Sequence, residues 1–132
     1  MYNMSALVCD VQVAGGGGSE FYKTLSEPWF SLIKLGIKKC EGRLNSGDFA
    51  RMRDGDYITF ENNNFDFRRK IRCRITEIKN YPSFAAYLEA ETLGKCLPGM
   101  DNMDEGLGVY YKYFKKADER TFGVRAFHME VV

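Results

Sequence analysis

The sequence is short of histidine, of closely spaced cysteines, of excess charge and of long apolar runs, and each shortage removes a class of function. The single histidine, His128, lies near the end with no sequence neighbour to complete a metal site or a Ser-His system, and it reads as structural. Cys9, Cys40, Cys73 and Cys96 form no C-x-x-C pair, which argues against a zinc knuckle or redox dithiol. No metal and no cofactor is therefore expected, and the thiols fit a reduced cytoplasmic compartment, or a nuclear one in a eukaryote. No stretch approaches the ~18–20 apolar residues of a membrane span. The short apolar "ALVCDVQVA" carries Asp10 and follows no basic segment, so neither a secretory signal nor a membrane partner is expected. The run Gly15–Gly18 lacks the Lys and Ser or Thr of a phosphate-cradling loop. A net charge of +1 excludes a grossly basic nucleic-acid binder, although an average can hide local fields.

What remains is the composition of one folded unit: 132 residues, 45% hydrophobic and 14% aromatic. "GGGGS" reads as a flexible linker, which places the folded domain at residues 20–132. Residues 1–19 are then either an appended segment or an extension whose strand, over 6–13, joins the sheet.

Ser26 can cap a helix with Pro28 in its first turn and with Trp29, Leu32 and Ile33 on one face, and Gly36 stops it. "KKCEGRLN" loses the helical period and is read as extended, ending at the turn-prone "NSGD". A strand is expected at 57–60 and loop chemistry in "NNNFDF". "KIRCRIT" alternates Ile71, Cys73 and Ile75 against Arg72, Arg74 and Thr76, as a half-buried strand with one basic face does. Helical spacing returns at Phe84, Tyr87, Leu88 and Glu91, and again at Leu107, Tyr110, Tyr111 and Phe114. "FGVRAFHMEVV" reads as a strand closing a small barrel. Helix, strands, two helices and a final strand make an α+β chain with a small curved sheet.

Two charge clusters stand out. In an extended segment Glu41 and Arg43 share a face about 6–7 Å apart, with Lys38 in the turn before them. An Arg and a Lys can bracket an anion or base edge, and a carboxylate among them can accept from an exocyclic amine, orient water or simply pair with its neighbours. The second cluster is a basic stripe, Arg68, Arg69, Lys70, Arg72 and Arg74, which could track RNA phosphates or be an ordinary solvated face balanced by acids. Among the aromatic residues, Tyr113 falls off the apolar face and Trp29 precedes the charge cluster, so these two are the candidates for stacking on a base.

The segments "SEPWFSLIKLGIKKCEGRLN", "DGDYITF", "KNYPSFAAYL" and "TFGVRAFHMEVV" resemble an ASCH domain, of the PUA-like β-barrels. The resemblance runs from Tyr22 to Val132. Its most specific part is G-x-K-x-x-E-x-R, met by Gly36, Lys38, Glu41 and Arg43; Gly55-Asp56 and Gly123-Val124 follow in the family's order. The resemblance implies a small barrel of about five to six strands with two to three flanking helices. Its cleft beside the first helix is lined by Lys38, Glu41 and Arg43 and binds RNA, a nucleotide or a modified nucleoside. Some small bacterial members hydrolyse N4-acetylcytidine with a Lys, a Thr three residues later as nucleophile, and a downstream Glu. Here Lys38 matches the Lys, Glu41 stands where the Thr would be, and Glu89 or Glu91 is the downstream candidate. Three functions stay open at this point: a binder of RNA or a modified nucleoside, a hydrolase in which Lys38 and Glu41 act on a modified cytidine or on RNA, and a protein-interaction module.

Overall fold

The computed structural model describes residues 18–132, so the strand considered over 6–13 lies outside the described residues. In chain order the elements are β1 (Glu20–Thr24), α1 (Trp29–Lys34), β2 (Cys40–Leu44), α2 (Gly47–Arg51), β3 (Tyr57–Asn62), β4 (Arg69–Tyr81), α3 (Phe84–Glu91), α4 (Leu93–Cys96), α5 (Met103–Tyr111), α6 (Lys116–Phe122) and β5 (Val124–Val131). The strands form one sheet in the order β1-β3-β4-β5-β2. Only β1 and β3 run parallel; the other pairs are antiparallel.

Period-2 burial explains why these segments are strands. Ile58 and Phe60 of β3 and Ile71, Cys73 and Ile75 of β4 point into the core while their neighbours face out. A register shift between Ile75 and Glu77 lets the long β4 bend along β5. The result is the expected α+β fold: a strongly curled half-barrel with three helices of seven residues or more. No described helix is long and apolar enough to cross a membrane.

Phe30, Met52, Phe60, Phe84, Tyr87, Leu97 and Phe127 are fully or almost fully buried and join the inner face of the sheet to the helices. Gly42 is essential to this packing. A Cβ there would lie 2.5 Å from the Tyr87 ring, so α3 can approach β2 only because position 42 has no side chain.

Several local expectations change. The N-cap of α1 is Pro28 and not Ser26, and the Ser31 N–H is met by the side chain of Glu27 at 2.9 Å. The apolar pattern over 103–118 is two helices. Tyr113 and Phe114 both donate to the Tyr110 carbonyl, the chain extends at Lys115, and Phe114 folds back to stack 5.4 Å from Phe84. The last strand lies between β4 and β2, and β1 and β2 are the edges of the sheet among the described residues. The segment "NNNFDF" contains a 3-10 turn at Asn64–Asp66.

Candidate functional site

Gly36 sets the geometry of the site. Its φ of 76°, a region open to glycine, lets the chain reverse after α1, and the amides of Ile37 and Lys38 both donate to the Leu32 carbonyl. Lys38 is thereby turned inward. Its side chain is 0% exposed, and its Nζ donates to the Cys40 carbonyl at 2.7 Å and to the carbonyl of Cys96 in the last turn of α4. That ammonium satisfies a helix-terminal carbonyl that has no partner within the helix. It also lies 3.3 Å from Glu41 Oε1 and 5.6 Å from the centre of the Trp29 ring.

Glu41 is held from its other side by Arg43, whose Nε donates to Oε2 at 2.9 Å. Burial pushes the Glu41 carboxyl up, but the charges of Lys38 and Arg43 outweigh it and hold the group below the ordinary carboxylate range. Glu41 is therefore an ionised acceptor with its orientation fixed from both sides. Arg43 lies 4.8 Å over the Phe49 ring and reaches the Thr24 carbonyl at 3.4 Å. Two cations against one carboxylate leave this corner with a surplus positive charge.

Glu41, Gly42 and Arg43 form one wall of a cavity of about 280 Å³, close to the lower end of typical ligand clefts. Trp29, Tyr110 and Tyr113 contribute aromatic surface, and the residues Thr24, Leu25 and Ser26 close the side nearest β1. Tyr110 donates to or accepts from the Tyr87 hydroxyl at 2.8 Å, and burial raises its own hydroxyl well above the ordinary tyrosine range. Tyr113 is 63% exposed at the rim.

The structure thus brings Trp29, Glu41, Arg43 and Tyr113 to one cavity and puts Lys38 behind its wall. Sequence reasoning had placed Lys38 in the cleft itself. Nothing in the sequence shows that the Cys96 carbonyl comes within reach of its ammonium. Neither Glu89 nor Glu91 lines the cavity.

The basic stripe is elsewhere, and most of it is paired. Arg69 meets Glu27 at 2.9 Å and lies over Phe30, Lys70 is 3.9 Å from Glu61, Arg72 pairs with Glu20, and Arg74 Nε is 3.4 Å from Glu130. Arg68 has no ion pair among the described residues.

A second cluster was not visible in the sequence. Cys40 and His128 are cross-strand partners, and Glu91 of α3 reaches them, so that one potential ligand atom from each lies within 4.8 Å of the others. It is the one group of possible metal ligands among the described residues. Internal contacts account for it as it stands. Tyr81 donates to Glu91 Oε2 at 2.5 Å, and His128 Nε2 is 2.8 Å from Oε1, in ion-pair range although poorly aligned for a hydrogen bond. The Cys40 thiol is raised by a hydrogen bond with Cys96 and by burial.

Residues 24–132 match the ASCH domain family. Two solved archaeal structures are similar. The crystal structure of the hypothetical protein PH0355 is 32% identical, with a TM-score of 0.77, covering 86% of this chain and 99% of its own. The solution NMR structure of PF0455 from Pyrococcus furiosus is 34% identical, with a TM-score of 0.71, covering 86% of this chain and 97% of its own. No curated protein matches.

Proposed function

Because the chain belongs to the ASCH domain family, a PUA-like family often linked to RNA binding, we propose that it binds one nucleobase of RNA, or a modified nucleoside, in the cavity beside α1. One observation carries this reading: an ionised carboxylate and a guanidinium, held 2.9 Å apart, stand together on the wall of an aromatic-lined cavity. Glu41 keeps lone pairs free to accept from an exocyclic amine, and Arg43 keeps N–H groups free for a ring nitrogen or carbonyl. A base edge with a donor beside an acceptor, as in cytosine or guanine, fits that pair. Tyr113 supplies an exposed face on which a base can stack, and Trp29, 8% exposed, offers only the part of its ring that lines the cavity. Lys38 is a positioning residue, because its contacts to two carbonyls and to Glu41 keep its head from the cavity.

Trp29 gives the test a built-in reporter. Cytidine, guanosine, their 5′-monophosphates and N4-acetylcytidine are titrated against its fluorescence, with Glu41→Gln and Arg43→Ala alongside the parent chain. Saturable quenching that both substitutions weaken at least ~10-fold is expected. If fluorescence and thermal stability are unchanged up to millimolar ligand, the cavity is not a nucleoside site. Turnover of any of these compounds that Glu41→Gln abolishes would convert the reading to a hydrolase.

A further inference from the structure

The turn between β3 and β4 presents an aromatic side chain to water in a backbone conformation that disfavours it. Phe65 is 97% exposed with a φ of 61°, and Asp66 follows at 57°, in the left-handed region that a bulky residue rarely occupies. Phe67, two residues on, is 63% exposed. The turn is nevertheless well tied. The Asn62 side-chain carbonyl accepts from the Asn64 N–H at 3.0 Å and from Arg69 at 2.7 Å, and the amides of Asp66 and Phe67 bond back to Asn63 and Asn64.

The same Asn62 fixes the turn to the cavity. Its Nδ2 donates at 2.9 Å to the carbonyl of Leu25, a residue of the cavity wall, and Arg69 is tied to Glu27 on the approach to α1. Phe65 is three residues beyond Asn62, so its backbone lies no more than ~11 Å from it. Arg68 stands at the foot of the turn with no carboxylate partner among the described residues, whereas Arg69, Arg72 and Arg74 all have one. An exposed ring and a guanidinium with no ion pair among the described residues, on a turn whose base is bonded to the cavity wall through Asn62, match what a single strand presents next to a bound base: another base to stack and the phosphate between them.

We infer that this turn is a second contact for single-stranded RNA, in which Phe65 stacks on the nucleotide flanking the one held in the cavity and Arg68 meets the linking phosphate. This rests on the reading of the cavity given above and narrows it, because the preferred ligand becomes an oligonucleotide and not a free nucleoside.

The probes are fluorescein-labelled ten-residue homopolymers of each ribonucleotide, followed by anisotropy, and the four 5′-monophosphates, followed by Trp29 quenching. The variants are Phe65→Asn, Arg68→Ala and Trp29→Ala; the last is read by anisotropy alone. Asn tolerates a positive φ, so Phe65→Asn removes the ring and keeps the turn. Phe65→Asn should weaken the best oligomer about 5- to 100-fold and leave monophosphate binding unchanged. Arg68→Ala should lower the slope of log affinity against log salt by about 1. Oligomer binding that depends on Trp29 but not on Phe65 overturns the inference and leaves the cavity reading intact. Binding that depends on Phe65 but not on Trp29 overturns the cavity reading and, with it, the two-contact strand. If neither oligomer nor monophosphate binds the parent chain, both fall.

Discussion

Replacing Lys38 with methionine tests whether its ammonium is a structural strut or a group that works on a ligand. Methionine follows the path of the lysine stem but brings no charge to a position with 0% side-chain exposure. Glu41 then keeps Arg43 as its one cationic partner, and the carbonyls of Cys40 and Cys96 lose their common donor. Removing one partner of a buried pair costs about 3–5 kcal/mol, here because the buried Glu41 is left with one cation instead of two and two carbonyls lose their donor. A domain of this size has about 5–15 kcal/mol in total, so about a fifth or more of the margin should go. At roughly 4 °C per kcal/mol the melting temperature should fall by about 12–20 °C. Thermal unfolding followed by circular dichroism reads this directly. The double variant Lys38→Met/Glu41→Gln should recover about 2 kcal/mol relative to the sum of the single changes, because no buried carboxylate remains to miss the lysine. A shift under ~3 °C, or strict additivity, would mean that the ammonium is not locked where the geometry puts it. Loss of ligand binding at unchanged stability would return Lys38 to the ligand's side of the wall.

Acid should act through the same corner. Glu41 and Glu91 both have carboxyls held below the ordinary range: burial raises each, but Lys38 and Arg43 outweigh it for Glu41, and the hydrogen bond from Tyr81, with the His128 ring close by, outweighs it for Glu91. The stability these groups supply is complete above an unfolded-chain value of about 4.3 and is lost as pH falls through their lower folded values. Melting temperature should therefore be flat from pH 7 to about 5 and drop below about 4, less steeply in Glu41→Gln; a profile flat to pH 3 would contradict this. Gly42→Ala should cost about 1–3 kcal/mol in urea unfolding, since its Cβ would press on the Tyr87 ring at 2.5 Å. Tyr81→Phe removes the donor to Glu91 and should cost about 1 kcal/mol in the same assay. Arg43→Lys keeps the charge but not the planar fork. It should change stability by less than ~1 kcal/mol while weakening cytidine 5′-monophosphate about 10-fold.

The parts of the fold legible in the sequence were those in which a side-chain period coincides with burial. The alternation of Ile71, Cys73 and Ile75 announces β4, and the spacing of Phe84, Tyr87, Leu88 and Glu91 announces α3, because each set meets the core. β1 escaped notice because none of its five residues is buried, so its sequence has no apolar rhythm to read. The break between α5 and α6 escaped because Lys115 is neither glycine nor proline; Phe114 docking on Phe84 ends the helix, and that is a tertiary cause. The G-x-K-x-x-E-x-R spacing puts Glu41 and Arg43 on one strand, and both line the same cavity. It could not give the depth of Lys38, which depends on a carbonyl 58 residues away, nor the meeting of Cys40, Glu91 and His128.

The edges of the sheet have a mechanical consequence. No strand pairing joins β1 to β2, and side chains link β1 to what faces it: Arg43 of β2 to the Thr24 carbonyl at 3.4 Å, and Lys23 to Asp48 of α2 at 2.6 Å. The first crossing lies at the cavity, since Thr24 and Arg43 both line it, and exposed contacts of this kind are worth less than ~1 kcal/mol each. The side of the cavity nearest β1 is therefore held by side chains and not by a backbone ladder, so it can shift while every rung of the sheet stays intact.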